Sequence, residues 1–296
     1  MRTPFPYQPN IQLNAICILS ADQGFPHLLR FWKKIYVTLF PVKLQTRRPD
    51  RPGHAMEFSI SQELINQNSM GPNPIRLLQW NLEGIEIKSG ARILDLGAGK
   101  GLSAVYLANQ YQAEVIAIDR DIDPDQALAA MLACQAEKLP LPLQGDAWDL
   151  PFPREYFDLI IATDSYIYFG TDDLYGPYIS QFLKPGGLLC CTVPGFNKDV
   201  SSDADLPDHL RPFWADECWT WHTRKWWQAH LERTGHFEVL VCERMENSYQ
   251  FWKEETLLGP EEWREADLDV IERDQGEYMG FIKFVARQKN PGEYSR

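Results

Sequence analysis

Basic charge is scarce in this 296-residue chain: 29 Lys and Arg stand against 41 Asp and Glu, a net of −12 at neutral pH. Nucleic acid is disfavoured as a partner, because phosphate contacts need a basic surface, and an anionic lipid surface is disfavoured for the same reason. Cysteine is sparse too. Positions 17, 134, 190, 191, 218 and 242 show no CxxC or other metal-ligand spacing, and Cys190 and Cys191 adjoin in an apolar stretch. They read as reduced core residues of a cytoplasmic protein, with no metal site expected. His230 and His236 lack ligand spacing as well.

What remains is ordinary for a globular chain: 44% hydrophobic and 24% charged residues, enough for one large domain or two small ones. Residues 1–55 stand apart. Eight basic side chains face only Asp22 and Asp50 there, a net of +6 that leaves −18 for the rest. Phe25, Leu28, Leu29, Trp32, Ile35, Tyr36, Leu39 and Phe40 share one helical face, so residues 25–40 are the one stretch expected to meet a membrane. A targeting peptide is the other reading, although the apolar core and small-residue cleavage site are missing. The boundary expected here makes residues 1–55 a basic extension outside the fold, with Met56 opening the domain that runs to about residue 290.

The chain is organised around residues 91–119, which read as strand, glycine turn, helix, strand. The apolar run 92–96 ends in Gly97-Ala98-Gly99-Lys100-Gly101, where missing side chains permit positive φ and a close approach of ligand to backbone. Leu102, Val105, Tyr106 and Leu107 follow at helical spacing, and residues 115–118 form a second buried strand closed by Asp119. A carboxylate there suits a ribose diol, whose two hydroxyls it can both accept from. The spacing is GxGxG; Leu102 stands where a dinucleotide fold places its third glycine. Asp95, two residues before the turn, would repel a pyrophosphate and attract a ligand bearing ammonium and sulfonium charge.

At these residues, Leu94-Asp95-Leu96-Gly97-Ala98-Gly99-Lys100-Gly101, the chain resembles the class I S-adenosylmethionine-dependent methyltransferases. Gly145-Asp146-Ala147 before Leu150-Pro151-Phe152 resembles that family's third-strand motif, residues 157–161 its fourth strand, and Phe182-Leu183-Lys184-Pro185-Gly186-Gly187 its turn into the fifth. The resemblance implies an α/β fold: a doubly wound, seven-stranded, mostly parallel sheet of Rossmann-like type, its last strand antiparallel. It implies S-adenosyl-L-methionine as cofactor, with Asp95, Gly97, Gly99 and Gly101 at its methionine end, Asp119 on the ribose, and Asp146 with Ala147 at the adenine. It also implies that the segment leading into the first strand, residues 57–80, closes over the cofactor; Asn73, a small polar group in its turn, is expected to contact ligand.

Asp123 before Pro124 caps a helix with Met131 as core filler, and Thr171 is expected to cap a helix ending at Lys184. Two aromatic-rich insertions are expected, near residues 195–221 and 246–276, the tryptophans of 214–227 covering the substrate crevice. Asp164, Tyr166 and Tyr168 follow the fourth strand, on the face where ligands bind, and can supply a base, a donor and an aromatic wall. His222, among the tryptophans, is the remaining candidate base, against the reading of a packed, hydrogen-bonded residue. The expected activity is in-line methyl transfer to a small-molecule acceptor, which needs neither metal nor covalent nucleophile. A non-catalytic adenosylmethionine-binding module and a dinucleotide-dependent dehydrogenase are the competing readings.

Overall fold

A computed structural model describes residues 58–213, 218–259 and 261–289, all within the unit Glu57–Arg296. The basic segment 1–55, with its candidate membrane face, lies outside the described residues, as do Trp214 and Cys17. Among the described residues no helix is long and apolar enough to cross a membrane.

Two short helices lead in, α1 (Gln62–Asn68) and α2 (Pro74–Asn81). Asn73 starts α2: its side-chain oxygen accepts from the backbone of Ile75 at 3.0 Å and Arg76 at 3.2 Å, and Pro74 occupies the first position. Those two amides would otherwise lack partners at a helix start, which explains why so polar a residue is only 3% exposed. Strand β1 (Arg92–Leu96), helix α3 (Leu102–Gln110) and strand β2 (Glu114–Asp119) follow as the βαβ unit read from the sequence. Helix α4 (Pro124–Ala133) is capped by Asp123, which accepts from Asp125 at 2.8 Å. Strand β3 (Leu141–Gln144) pairs parallel to β2, and Pro142 is tolerated because β3 is the edge of the sheet.

Strands β4 (Phe157–Thr163) and β5 (Leu183–Phe196) continue the parallel part, joined by helix α5 (Tyr175–Ser180). Here the structure corrects the sequence. Thr171 caps nothing, because the helix starts four residues later, and Lys184 already lies in β5. Asp172 instead turns the chain, accepting from Leu174 at 2.7 Å. Helix α6 (Arg224–Arg233), strand β6 (Phe237–Arg244), helices α7 (Ser248–Leu258) and α8 (Glu261–Asp274), and strand β7 (Met279–Gln288) complete the chain.

The sheet order is β3-β2-β1-β4-β5-β7-β6, with β7 antiparallel to both neighbours. The strand order reverses between β1 and β4. In a doubly wound sheet such a reversal leaves a crevice at the strands' C-terminal ends, here beyond Leu96 and Thr163. A core cluster lies between α2, α3, α4 and the sheet, and buried Met131 fills the space beneath the glycine turn.

Candidate functional site

The turn after β1 is held open by its glycines. Gly97, Gly99 and Gly101 have φ of 70°, 52° and 80°, the left-handed region that side chains disfavour. Space excludes a side chain as well: a Cβ on Gly97 would sit 2.4 Å from the Ser165 Cβ, and one on Gly101 2.0 Å from the Met131 methyl. The turn is tied to β2, since Gly97 and Ala98 both donate to the Ile118 carbonyl, at 2.9 and 3.1 Å. Asp119 completes the tie. One of its carboxylate oxygens accepts from Gly99 at 2.8 Å, and the other from Asp121 and Ile122 at 2.9 and 3.2 Å.

A cavity of about 320 Å³ opens above this turn. Gly97 and Gly99 line it beside Asp119, Asp146 and Ala147 on one side and Asp164 and Tyr168 on the other. Seven of the eleven residues singled out in the sequence thus meet in one place. Gly101 supports the turn from below, packed on Met131. Asp146 is fixed by its own loop, accepting from Trp148 at 2.8 Å, and Ala147 by the Tyr175 hydroxyl, which donates to its carbonyl at 3.2 Å.

Asp95 lies behind the cavity wall. It is 1% exposed, one carboxylate oxygen accepts from the Ser103 hydroxyl at 2.5 Å, and the other has no partner. Burial, opposed by the Ser103 bond and assisted by nearby Asp119, pushes its carboxyl up to about 7. Ser103 itself lines the cavity, so Asp95 faces it across one hydroxyl.

Tyr166 and His222 are elsewhere. After β4 the chain enters a single 3₁₀ turn, Tyr166–Tyr168, which sends the two tyrosines apart. Tyr168 is 75% exposed at the cavity, whereas Tyr166 is wholly buried between Phe169, Tyr175, Trp227 and Phe284. Burial drives its phenol well above the ordinary value, so it is neither a base nor a donor to a ligand in the cavity. His222 stacks on Trp226 at 3.6 Å, and burial, with His230 nearby, lowers its pKa to about 4. The described tryptophans of the run pack on opposite faces of the sheet: Trp227 on Phe284, Trp221 between Phe196 and Trp252. None of them lines the cavity. Asn73, buried as a helix cap, does not line this cavity either.

Several residues were missed. Trp148, stacked on Tyr178 at 5.7 Å, and Phe169 supply the cavity's aromatic wall. Ser165 pins the end of β4 to β1 by donating to the Leu96 carbonyl at 2.8 Å. Met70, Gly71 and Pro72 close one side, and Lys100 reaches the Gln67 carbonyl across the mouth. Asp164 holds a φ of 60°, unusual for a residue with a side chain and concentrated in proteins at ligand sites. Ser165, flanked by two singled-out residues, and Met70 to Pro72, in the leading segment expected to close the site, offered a sequence signal.

The chain is similar to known methyltransferases. Residues 94–191 match the family model described as a methyltransferase domain. Glycine/sarcosine/dimethylglycine N-methyltransferase of Actinopolyspora halophila is 30% identical over 138 residues, 46% of this chain and 24% of that protein. Erythromycin 3''-O-methyltransferase of Saccharopolyspora erythraea is 26% identical over 216 residues, 68% of this chain and 64% of the relative. The match thus spans less than two thirds of either relative's length. Phosphoethanolamine N-methyltransferase 2 of Haemonchus contortus, solved with S-adenosyl-L-methionine, superposes with a TM-score of 0.61 at 18% identity, over 77% of this chain and 56% of that one, a likeness of fold. Ordered motifs, sheet topology and the matched domain converge: residues 94–191 match a methyltransferase domain, and the chain has the Rossmann-like fold of S-adenosylmethionine-dependent methyltransferases.

Proposed function

We propose that this protein transfers a methyl group from S-adenosyl-L-methionine to a small-molecule acceptor. The carrying observation is the single cavity in which the β1 glycine turn, Asp119 at the end of β2 and the Asp146-Ala147 loop converge. The residues fit the cofactor. The glycine cradle leaves no room for side chains, and the unpartnered Asp95 oxygen puts an acidic group behind the methionine end.

In this reading Asp119 receives the ribose hydroxyls, Asp146 and Ala147 the adenine edge, and Gly97 to Gly101 the methionine portion. S-adenosyl-L-methionine supplies a methyl already activated on sulfonium, so the protein's task is to align the reactants and exclude water. Met70 to Pro72 close one side of the cavity, while Trp148, Tyr168 and Phe169 give it an aromatic rim suited to a cationic ligand. Asp164, at the end of β4, is the carboxylate placed to orient an acceptor or take its proton.

Calorimetric titration with S-adenosylhomocysteine tests the cofactor assignment: saturable one-to-one binding is expected, and its absence would refute the reading. A screen of small metabolites with methyl-labelled S-adenosylmethionine then identifies the acceptor.

A further inference from the structure

The cavity above the glycine turn has two unequal sides. The residues assigned to the cofactor lie on the β1 turn and beyond the ends of β2 and β3. Strand β4 borders β1 on the side away from β2, and the chain after it brings Asp164, Tyr168 and Phe169 to the cavity. That side is left for the acceptor.

Asp164 is held firmly there. Its backbone N–H donates to the Thr192 carbonyl at 2.7 Å, and the next residue ties the chain to β1 through the Ser165 hydroxyl, 2.8 Å from the Leu96 carbonyl. The carboxylate reaches the 70–72 turn: one oxygen lies 2.7 Å from where a Gly71 Cβ would stand, so glycine leaves the room it occupies. Phe169 is half-buried, braced by Tyr175 with ring centroids 5.2 Å apart, and its ring edge lies 3.9 Å from a Cβ placed on Gly97. Tyr168 adds a second, exposed ring, and Met70 and Pro72 line the cavity as apolar surface.

Charge is distributed as unevenly. The lining holds Asp119, Asp121, Asp146 and Asp164 against Lys100 and Arg120. Arg120 follows Asp119 on the cofactor side and pairs with Asp121 at 3.0 Å, while Lys100 spans the mouth to the Gln67 carbonyl at 3.4 Å. Among the described residues, the acceptor side therefore presents a carboxylate and aromatic rings, with no histidine, lysine or arginine. A carboxylate or phosphate on the acceptor would be repelled there. An alcohol or phenol would find only an aspartate as base, too weak to ionise it. An ammonium is attracted both by the carboxylate and by the ring faces. It needs no strong base, because an amine keeps a free-base fraction near neutral pH.

We propose that the methyl acceptor is an amine on an apolar body, carrying no carboxylate or phosphate, with its ammonium held by Asp164 beside Tyr168 and Phe169. The ammonium gives its proton through Asp164 to solvent. The nitrogen lone pair then forms the N–C bond as the S–C bond of S-adenosylmethionine breaks, leaving S-adenosylhomocysteine as a neutral sulfide and the positive charge on the methylated nitrogen. This assignment rests on the cofactor occupying the opposite side of the same cavity.

The test uses the full chain. Calorimetry with S-adenosylhomocysteine reads cofactor binding first, and its absence would overturn that assignment and this one together. On the saturated complex, ligand-observed NMR then titrates propylamine, 1-propanol and propanoate; benzylamine, benzyl alcohol and benzoate; and the zwitterion β-alanine. At least one amine is expected to bind saturably, ten-fold or more tightly than the alcohol and acid of its own shape, and more tightly than β-alanine. Asp164→Asn keeps a residue that tolerates the φ of 60°; it should weaken the amine at least ten-fold while the alcohols and S-adenosylhomocysteine stay within two-fold. Tyr168→Leu, at a position 75% exposed, should weaken the amine two- to five-fold and supplies the test if the Asp164 variant does not fold. With S-adenosylhomocysteine bound, the inference is overturned if neither amine binds, or if an alcohol, an acid or β-alanine binds as tightly. It is overturned as well if the preference for the amine survives Asp164→Asn, or Tyr168→Leu where only that variant folds.

Discussion

Asp95→Asn should make the cofactor-free protein more stable, relative to wild type, as pH rises. The buried carboxyl titrates near 7 in the folded chain against an ordinary 3.8, because ionising it in place costs desolvation that one Ser103 hydrogen bond does not offset. A folded-state pKa raised above the unfolded value gives stability that is fully present below 3.8. It is lost as pH climbs, until the loss levels off above 7. Over 3.2 units the wild type loses roughly 4 kcal/mol, of which roughly 2 to 3 kcal/mol falls between pH 5 and pH 8.

Asparagine has no such titration. Its own cost, an extra amide N–H to satisfy beside the orphan oxygen's position, is the same at every pH. The difference in unfolding free energy between variant and wild type should therefore grow by that amount from pH 5 to pH 8, read from urea midpoints at half-unit steps without cofactor. Parallel profiles would show that Asp95 is ionised throughout or reached by water, and would refute the burial argument.

Other outcomes follow from the same geometry. S-adenosylhomocysteine carries an ammonium, so binding beside Asp95 should release a proton below pH 7 and tighten as pH rises from 6 to 8; calorimetry in buffers of different ionisation enthalpy reads both. Asp119→Ala should weaken that ligand by about 1.5 to 3 kcal/mol, the scale of hydrogen bonds to a charged group, and unchanged affinity in the same titration would remove the ribose assignment. Gly101→Ala combines a φ of 80° with a 2.0 Å approach to Met131 and should cost about 1 to 3 kcal/mol in chemical denaturation. Tyr166→Phe removes a buried, unpartnered hydroxyl and should leave turnover and cofactor affinity unchanged while matching or exceeding wild-type stability; a selective fall in turnover would put Tyr166 back among the catalytic candidates.

The parts legible in the sequence are those whose physics is local. Gly97, Gly99 and Gly101 announce a backbone that no other residue adopts cheaply, Asp119 closes an apolar run, and Asp123-Pro124 is a cap whose partners lie two residues away. The βαβ unit follows from such signals in order, whereas the antiparallel last strand was implied by the family resemblance. What was misplaced depends on contacts between distant residues. Tyr166 and Tyr168 differ by two positions, and only the 3₁₀ turn, closed by Tyr168 donating to Ser165 at 3.1 Å, decides that one is core and the other faces the cavity. Adjacent Trp226 and Trp227 must point in different directions from a helix; Trp227 found a slot against Phe284, which is 57 residues away and on a strand whose register the sequence does not specify. Asn73 carried the chemistry of a ligand contact and of a helix cap alike, and Pro74 beside it was the deciding signal.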